Sequence, residues 1–106
     1  MARFLVVYWG SGNMQMSKAE RDKMMAAWDA WFKGLGKAVV DIGAPTAPAK
    51  AVSAKGIEAG VKEKETIGGY SVFEVASADA AAEMAKKSPH IASGGRISIY
   101  SIMAMM

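Results

Sequence analysis

Phe4 to Trp9 form an unbroken apolar run, rich in β-branched and aromatic residues, that Gly10, Ser11, Gly12 and Asn13 bring to an end. A short run of this composition, closed by turn formers, predicts a strand covered on both faces. Helices of the same chain can cover one face. The other needs a further surface, and a second copy of the chain is the natural candidate. The period then changes. Ser17-Lys18-Ala19-Glu20 has capping-box spacing, in which the serine hydroxyl and the glutamate carboxylate each satisfy the other's backbone amide. Met24, Trp28, Trp31, Phe32 and Leu35 follow at three- and four-residue steps, predicting a helix over about 17–35. Gly34 and Gly36 end it, with Lys33 and Lys37 at the negative end of its dipole.

The second half repeats the alternation. Residues 38–43 predict a second strand, interrupted by the charge of Asp41. Residues 44–54, with Pro45 and Pro48, predict a loop or a weak edge. Ile57-Glu58-Ala59, between Gly56 and Gly60, is compatible with a small hairpin or with irregular structure. Lys62-Glu63-Lys64-Glu65 alternates in sign and is expected to be solvated. Gly68-Gly69 reads as a turn into a strand over 70–75. Ser77 caps a second helix over about 78–87, with Asp79 in its first turn and Ala78, Ala81, Ala82 and Ala85 on a face small enough to approach a sheet. Pro89 cannot continue that helix. Gly94-Gly95 reads as a turn into a final strand over 96–102.

Strand, helix, strand, strand, helix, strand is the β-α-β-β-α-β order. Right-handed crossovers then put both helices on one face of a four-stranded antiparallel sheet, an α+β, ferredoxin-like fold. Length agrees: 106 residues suit a single domain over 1–106. The 52% apolar and 22% charged residues mark a globular chain rather than a disordered one. A chain this short buries a modest core, so covering the second sheet face by a partner would add to it. Homodimerisation through the sheet face is therefore expected.

The formal charge of +3 is mild, and the basic residues are scattered from Arg3 to Arg96 rather than clustered as nucleic-acid binders cluster them. The chain has no cysteine, which removes disulfides, thiolate metal sites and cysteine nucleophiles together and fits a reducing, cytoplasmic setting. The first apolar run is too short to span a membrane and lacks a signal-peptide layout, so no membrane partner is expected.

Taken in order, the strand ending in Tyr8-Trp9-Gly10, the helix with Trp28, Trp31-Phe32 and Leu35, Gly36 with a strand to Gly43, the Gly68-Gly69-Tyr70 start and the alanine-rich helix running into Lys87-Ser88-Pro89-His90 resemble the YCII-related family. The resemblance covers nearly the whole chain. It implies the dimeric α/β barrel group and, in the smaller members, a His and Asp pair in a cleft. Two departures stand out. The helix from Ser17 to Gly36 has no histidine, and residues 56–67 lack the Asp-Gly-Pro-Phe tetrapeptide of a related branch.

His90 is the only histidine, hence the only side-chain type here that ordinarily titrates near neutrality. It reads either as a general acid or base at a cleft or as a solvated helix-exit residue. Asp41, a charge within an apolar strand, must face water, line a polar pocket or be paired. Together they are the candidate catalytic pair. Tyr8, Trp9 and Tyr70, aromatics in or beside strands, are the candidate ligand-binding residues, while Trp28 and Trp31 read first as core. Glu74 reads as solvent-facing, with Arg96 as a possible cross-sheet partner. One histidine without cysteine argues against a metal site, and no cofactor is implied. Gly10-Ser11-Gly12 is not a phosphate loop: it lacks the Lys-Ser/Thr of a P-loop and the third glycine of a dinucleotide fingerprint. Three function classes remain. A small-molecule cleft with possible acid/base catalysis comes first and a non-catalytic oligomerisation or docking module second. Nucleic-acid binding comes last, because the final strand offers one aromatic and one basic residue where RNA-binding sheets display several.

Overall fold

The computed structural model describes residues 1–10, 17–61 and 66–103. Strand β1 (Ala2–Trp9) leads through helix α1 (Lys18–Leu35) and a short 3-10 turn (Gly36–Ala38) to β2 (Val39–Pro45). Two short strands follow, β3 (Lys50–Ser53) and β4 (Gly56–Ala59). Then come β5 (Ile67–Val75), α2 (Ala78–Lys86), a one-turn helix α3 (Pro89–Ala92) and β6 (Arg96–Ser101). The main sheet has the order β2-β5-β1-β6, with every neighbouring pair antiparallel. This is the ferredoxin-like order, with β3 and β4 inserted as a separate two-stranded hairpin.

Strand alternation sorts the sheet into two faces. Phe4, Val6 and Tyr8 of β1 join Phe73 and Val75 of β5 and Ala81 of α2 in the core beneath the helices. Trp28, Trp31, Leu35, Val39, Met84, Ile97 and Ile99 pack around it, half-buried. Ala81 and Ala85 are the buried small residues that let α2 lie close to the strands, whereas Ala78 and Ala82 face solvent. Helix α1 is held less deeply: none of its residues is fully buried. The Trp31 indole N–H donates to the Met84 carbonyl at 3.2 Å and ties α1 to α2. The capping box is formed: Ser17 Oγ accepts from the Glu20 amide and Glu20 Oε1 from the Ser17 amide.

Four expectations are changed or made more definite. Gly68 and Gly69 lie within β5 rather than in a turn before it. A Cβ on Gly68 would stand 1.9 Å from the Gly10 carbonyl oxygen, so the glycine is there for backbone approach. The 44–54 stretch, expected as a loop or a weak edge, ends in a short edge strand, β3. Glu74 pairs with Arg3, directly opposite on β1, at 2.9 Å rather than with Arg96. Pro89, which ends α2 as expected, also opens α3, with Ser88 Oγ as its cap. The Lys62–Glu65 charge run and the residues of the Gly10-Ser11-Gly12 loop beyond Gly10 lie outside the described residues.

Candidate functional site

A cleft of about 920 Å3 opens between α1 and the end of the sheet where β1 and β2 finish and β5 begins. Helix α1 supplies Met24, Met25, Trp28, Asp29, Phe32 and Lys33. The opposite wall is largely backbone: Gly43, Ala44 and Pro45 of β2, Gly68 and Gly69 of β5. The floor holds Tyr8 and His90, and Gly94-Gly95 closes one end.

His90 is positioned by its local sequence. Ser88 and Pro89 start α3 immediately after α2, which brings the imidazole over the end of β1. Nε2 lies 3.0 Å from the Trp9 carbonyl oxygen and 3.1 Å from that of Arg96. Carbonyl oxygens only accept, so Nε2 carries the proton and donates to both. Nδ1 is then the basic nitrogen of the neutral ring. It has no partner among the described residues, where every buried side-chain nitrogen and oxygen is satisfied, so Nδ1 reaches solvent. The ring also packs edge-on against Tyr8, with centroids 5.6 Å apart, and stands 6.5 Å from Trp28.

Tyr8 has a fixed proton order of its own. Ser71 Oγ lies 2.6 Å from the Ile42 carbonyl oxygen, to which it must donate, and 2.8 Å from Tyr8 Oη. The Ser71 proton being committed, Tyr8 is the donor in that second bond. Burial pushes the Tyr8 phenol up to about 12. The phenol therefore stays neutral across physiological pH and orders the floor rather than serving as a base. The Trp28 ring stands edge-on to Tyr8 at 5.1 Å and lies 5.7 Å from Phe32, tilted by 32°.

The other expected site residues fall in different places. Trp9 borders the cleft, but its indole N–H donates to Ser98 Oγ at 2.7 Å and the Arg96 guanidinium sits 5.3 Å above its ring. What Trp9 gives His90 is its carbonyl. Tyr70 also borders the cleft, although alternation places it with Val72 on the sheet face away from the helices. Asp41 is exposed and outside the cleft, and its Oδ1 accepts from the Gly43 amide at 2.8 Å. Among the described residues no hydrogen bond joins Asp41 to His90, and Asp29 is the one carboxylate that lines the cleft.

The YCII-related domain model matches residues 4–106. The chain belongs to the YCII-related domain family. Among solved structures, this YCII-related domain is similar to 5-chloro-2-hydroxyhydroquinone dehydrochlorinase (TftG) from Burkholderia phenoliruptrix AC1100, in complex with 2,5-dihydroxybenzoquinone. The two share 21% identity over 91% of this chain and 90% of that one, with a TM-score of 0.53, a likeness in fold. No protein of curated function shows significant sequence similarity to the chain. Among the described residues no group of three or more His, Cys, Asp or Glu gathers as metal ligands do, and no helix is long and apolar enough to cross a membrane.

The residues that sequence reasoning missed are those of α1. Trp28 was expected in the core, and it does pack on it, but it also lines the cleft, as Phe32 does. Met25 and Asp29 each sit one position beside the apolar stripe, where a rim residue of an amphipathic helix falls.

Proposed function

We propose that the cleft binds a small, flat organic molecule and that His90, through Nδ1, exchanges a proton with it. The observation that carries this reading is the held imidazole. Nε2 keeps both its carbonyl bonds whether the ring is neutral or protonated, so proton uptake or release at Nδ1 needs no rearrangement of the ring. Trp28 and Phe32 offer aromatic surface to a planar ligand, and Tyr8 supports the histidine from below. The similar fold of TftG, solved with 2,5-dihydroxybenzoquinone, is in keeping with a ring of that class. Asp41 enters as the residue that shapes the β2 wall by holding the Gly43 amide.

The reading includes a homodimer through the sheet face away from the helices. On that face Leu5 and Val72 are half-buried, while Tyr100 and Ile102 remain largely exposed at the β6 side. Val72, Leu5 and Tyr100 stand in one row across the sheet, beside the Arg3–Glu74 pair, and an apolar row with a polar border suits an interface.

The test is a thermal-shift screen of hydroxylated benzoquinones and related planar aromatics, 2,5-dihydroxybenzoquinone among them, followed by calorimetric titration. A binder is expected that weakens at least tenfold in Trp28→Ala, while His90→Gln retains binding but abolishes any turnover. Failure of the whole panel to bind, or a binder indifferent to both substitutions, would sink the reading.

A further inference from the structure

The β3–β4 hairpin has no place in the core. It forms its own two-stranded sheet, and every residue of it except Ala51 is exposed. Val52 and Ile57 stand directly opposite each other in its register and are 73% and 71% exposed. Alternation puts Lys50 and Ala59 on that same side and Ala51 and Glu58 on the other, so Val52, Ile57 and Ala59 form an apolar patch with Lys50 at its border. An isolated two-stranded hairpin is marginal in water, and an exposed β-branched pair adds nothing to it unless something covers the pair. The chain's shape agrees: its radius of gyration is 15.3 Å, against about 13 Å for a compact domain of this length.

The occupant follows from area and continuity. The face of the four-stranded sheet spans four strands at about 4.8 Å spacing and some six residues of about 3.3 Å each, so it projects roughly 400 Å2. A stable interface buries about 800 Å2 per partner. Side-chain relief raises the accessible area of that face above its projection, but the Arg3–Glu74 ion pair occupies part of it, so a contact beyond the sheet face would add to the interface. The hairpin springs directly from the edge of the same sheet: Thr46, just past β2, still bonds to Gly68 of β5, and Gly60 bonds back to Ala49 to close the hairpin's base. It therefore continues the β2–β5 edge outward, where a copy seated on the sheet face would meet it.

We propose that the β3–β4 hairpin is an arm that packs its Val52–Ile57 face on a second copy of the chain, extending the dimer contact beyond the sheet face. This rests on the dimer reading above. In a two-fold assembly each copy gives one arm and receives one, which doubles the contribution. The arm also leaves the sheet next to Pro45, Gly68 and Gly69, three residues that line the cleft, so docking it would steady that wall.

Sedimentation velocity across a concentration series compares the wild type with the double substitution Val52→Ser and Ile57→Ser. Both side chains are exposed in the single chain, so the monomer's fold should be unchanged, with circular dichroism as the check. The expected result is a wild-type dimer whose dissociation constant rises at least tenfold in the double variant. Amides of residues 50–59 should also gain protection from hydrogen exchange as wild-type concentration passes through the dimer range. A wild-type dimer with unchanged affinity in the variant, and hairpin amides indifferent to concentration, would overturn the arm and leave the sheet-face dimer standing. A wild-type monomer throughout would overturn both.

Discussion

Gly95→Ala is the sharpest test of how His90 is held. A Cβ on Gly95 would stand 2.4 Å from His90 Nε2, 2.6 Å from Cδ2 and 2.7 Å from Cε1. Gly95 is not among the glycines with positive φ, so the substitution adds no backbone strain and isolates the collision with the ring. To regain ordinary contact the imidazole must retreat by about 1 Å. That movement takes Nε2 out of reach of the Trp9 and Arg96 carbonyls, now 3.0 and 3.1 Å away. Losing one N–H shared by two carbonyls should cost about 1–2 kcal/mol. The smaller conformational freedom of the unfolded alanine chain returns about 0.5 kcal/mol. The net loss is then near 1 kcal/mol, or roughly 4–8 °C in Tm for a domain of this size. The decisive measurement is a double-mutant cycle read by chemical denaturation. In a His90→Ala background the colliding atoms are gone, and Gly95→Ala should be neutral or slightly stabilising. The coupling between the two sites should be about 1–2 kcal/mol. An equal cost in both backgrounds would refute the cradle, and so would no cost in either.

Two further outcomes follow from the geometry. Gly43→Ala should unfold the domain or lower its Tm severely, because φ is +79° and the added Cβ would meet the Tyr70 carbonyl oxygen at 1.7 Å; Gly34→Ala, with nothing within 4 Å, should stabilise α1 by up to ~1 kcal/mol, and equal effects in thermal melts would contradict this reading. The Tyr8 phenol, raised by burial from 10.0 to about 12, loses its proton first in the unfolded chain; its contribution is whole below pH 10 and is lost as the pH rises toward 12. Denaturation midpoints measured from pH 8 to 12 should therefore fall more steeply in the wild type than in Tyr8→Phe, by at most about 1.4 kcal/mol per pH unit, and parallel curves would count against it.

The sequence was most legible where local chemistry decides structure. The Ser17–Glu20 box, the helical stripe from Met24 to Leu35 and the β-branched run of β1 each impose their element whatever surrounds them, and the strand order then limits the topology. Register was not legible. Glu74 meets Arg3 because β1 lies beside β5 in that register, while β6 pairs with β1 alone and holds Arg96 opposite Trp9 at the far end, and composition carries no such information. Glycine pairs were ambiguous for a related reason. Gly68-Gly69 suits a turn or a close backbone approach equally, and only the position of the Gly10 carbonyl decides. The hairpin was half-seen, because four-residue strands after two prolines leave too little alternation to read. Asp41 drew notice as a charge in an apolar strand, yet its carboxylate is satisfied two residues away by the Gly43 amide, a local bond that needs no pocket.

The site itself explains why so little of its chemistry showed in the sequence. One wall is strand backbone and glycine, and the histidine is oriented by two main-chain carbonyls instead of an acidic partner. Backbone groups are present whatever residues carry them, so the cradle leaves no side-chain signature beyond the glycines and His90. What can vary without disturbing it is α1, whose residues at the cleft have no fully buried member and answer to the core only through one side of the helix. Selection for a different ligand would thus act on Met24, Met25, Asp29 and Lys33, while His90, Gly95 and the end of β1 stay fixed. Exchanging those four side chains should therefore change which planar ligands bind and leave the coupling between His90 and Gly95 intact.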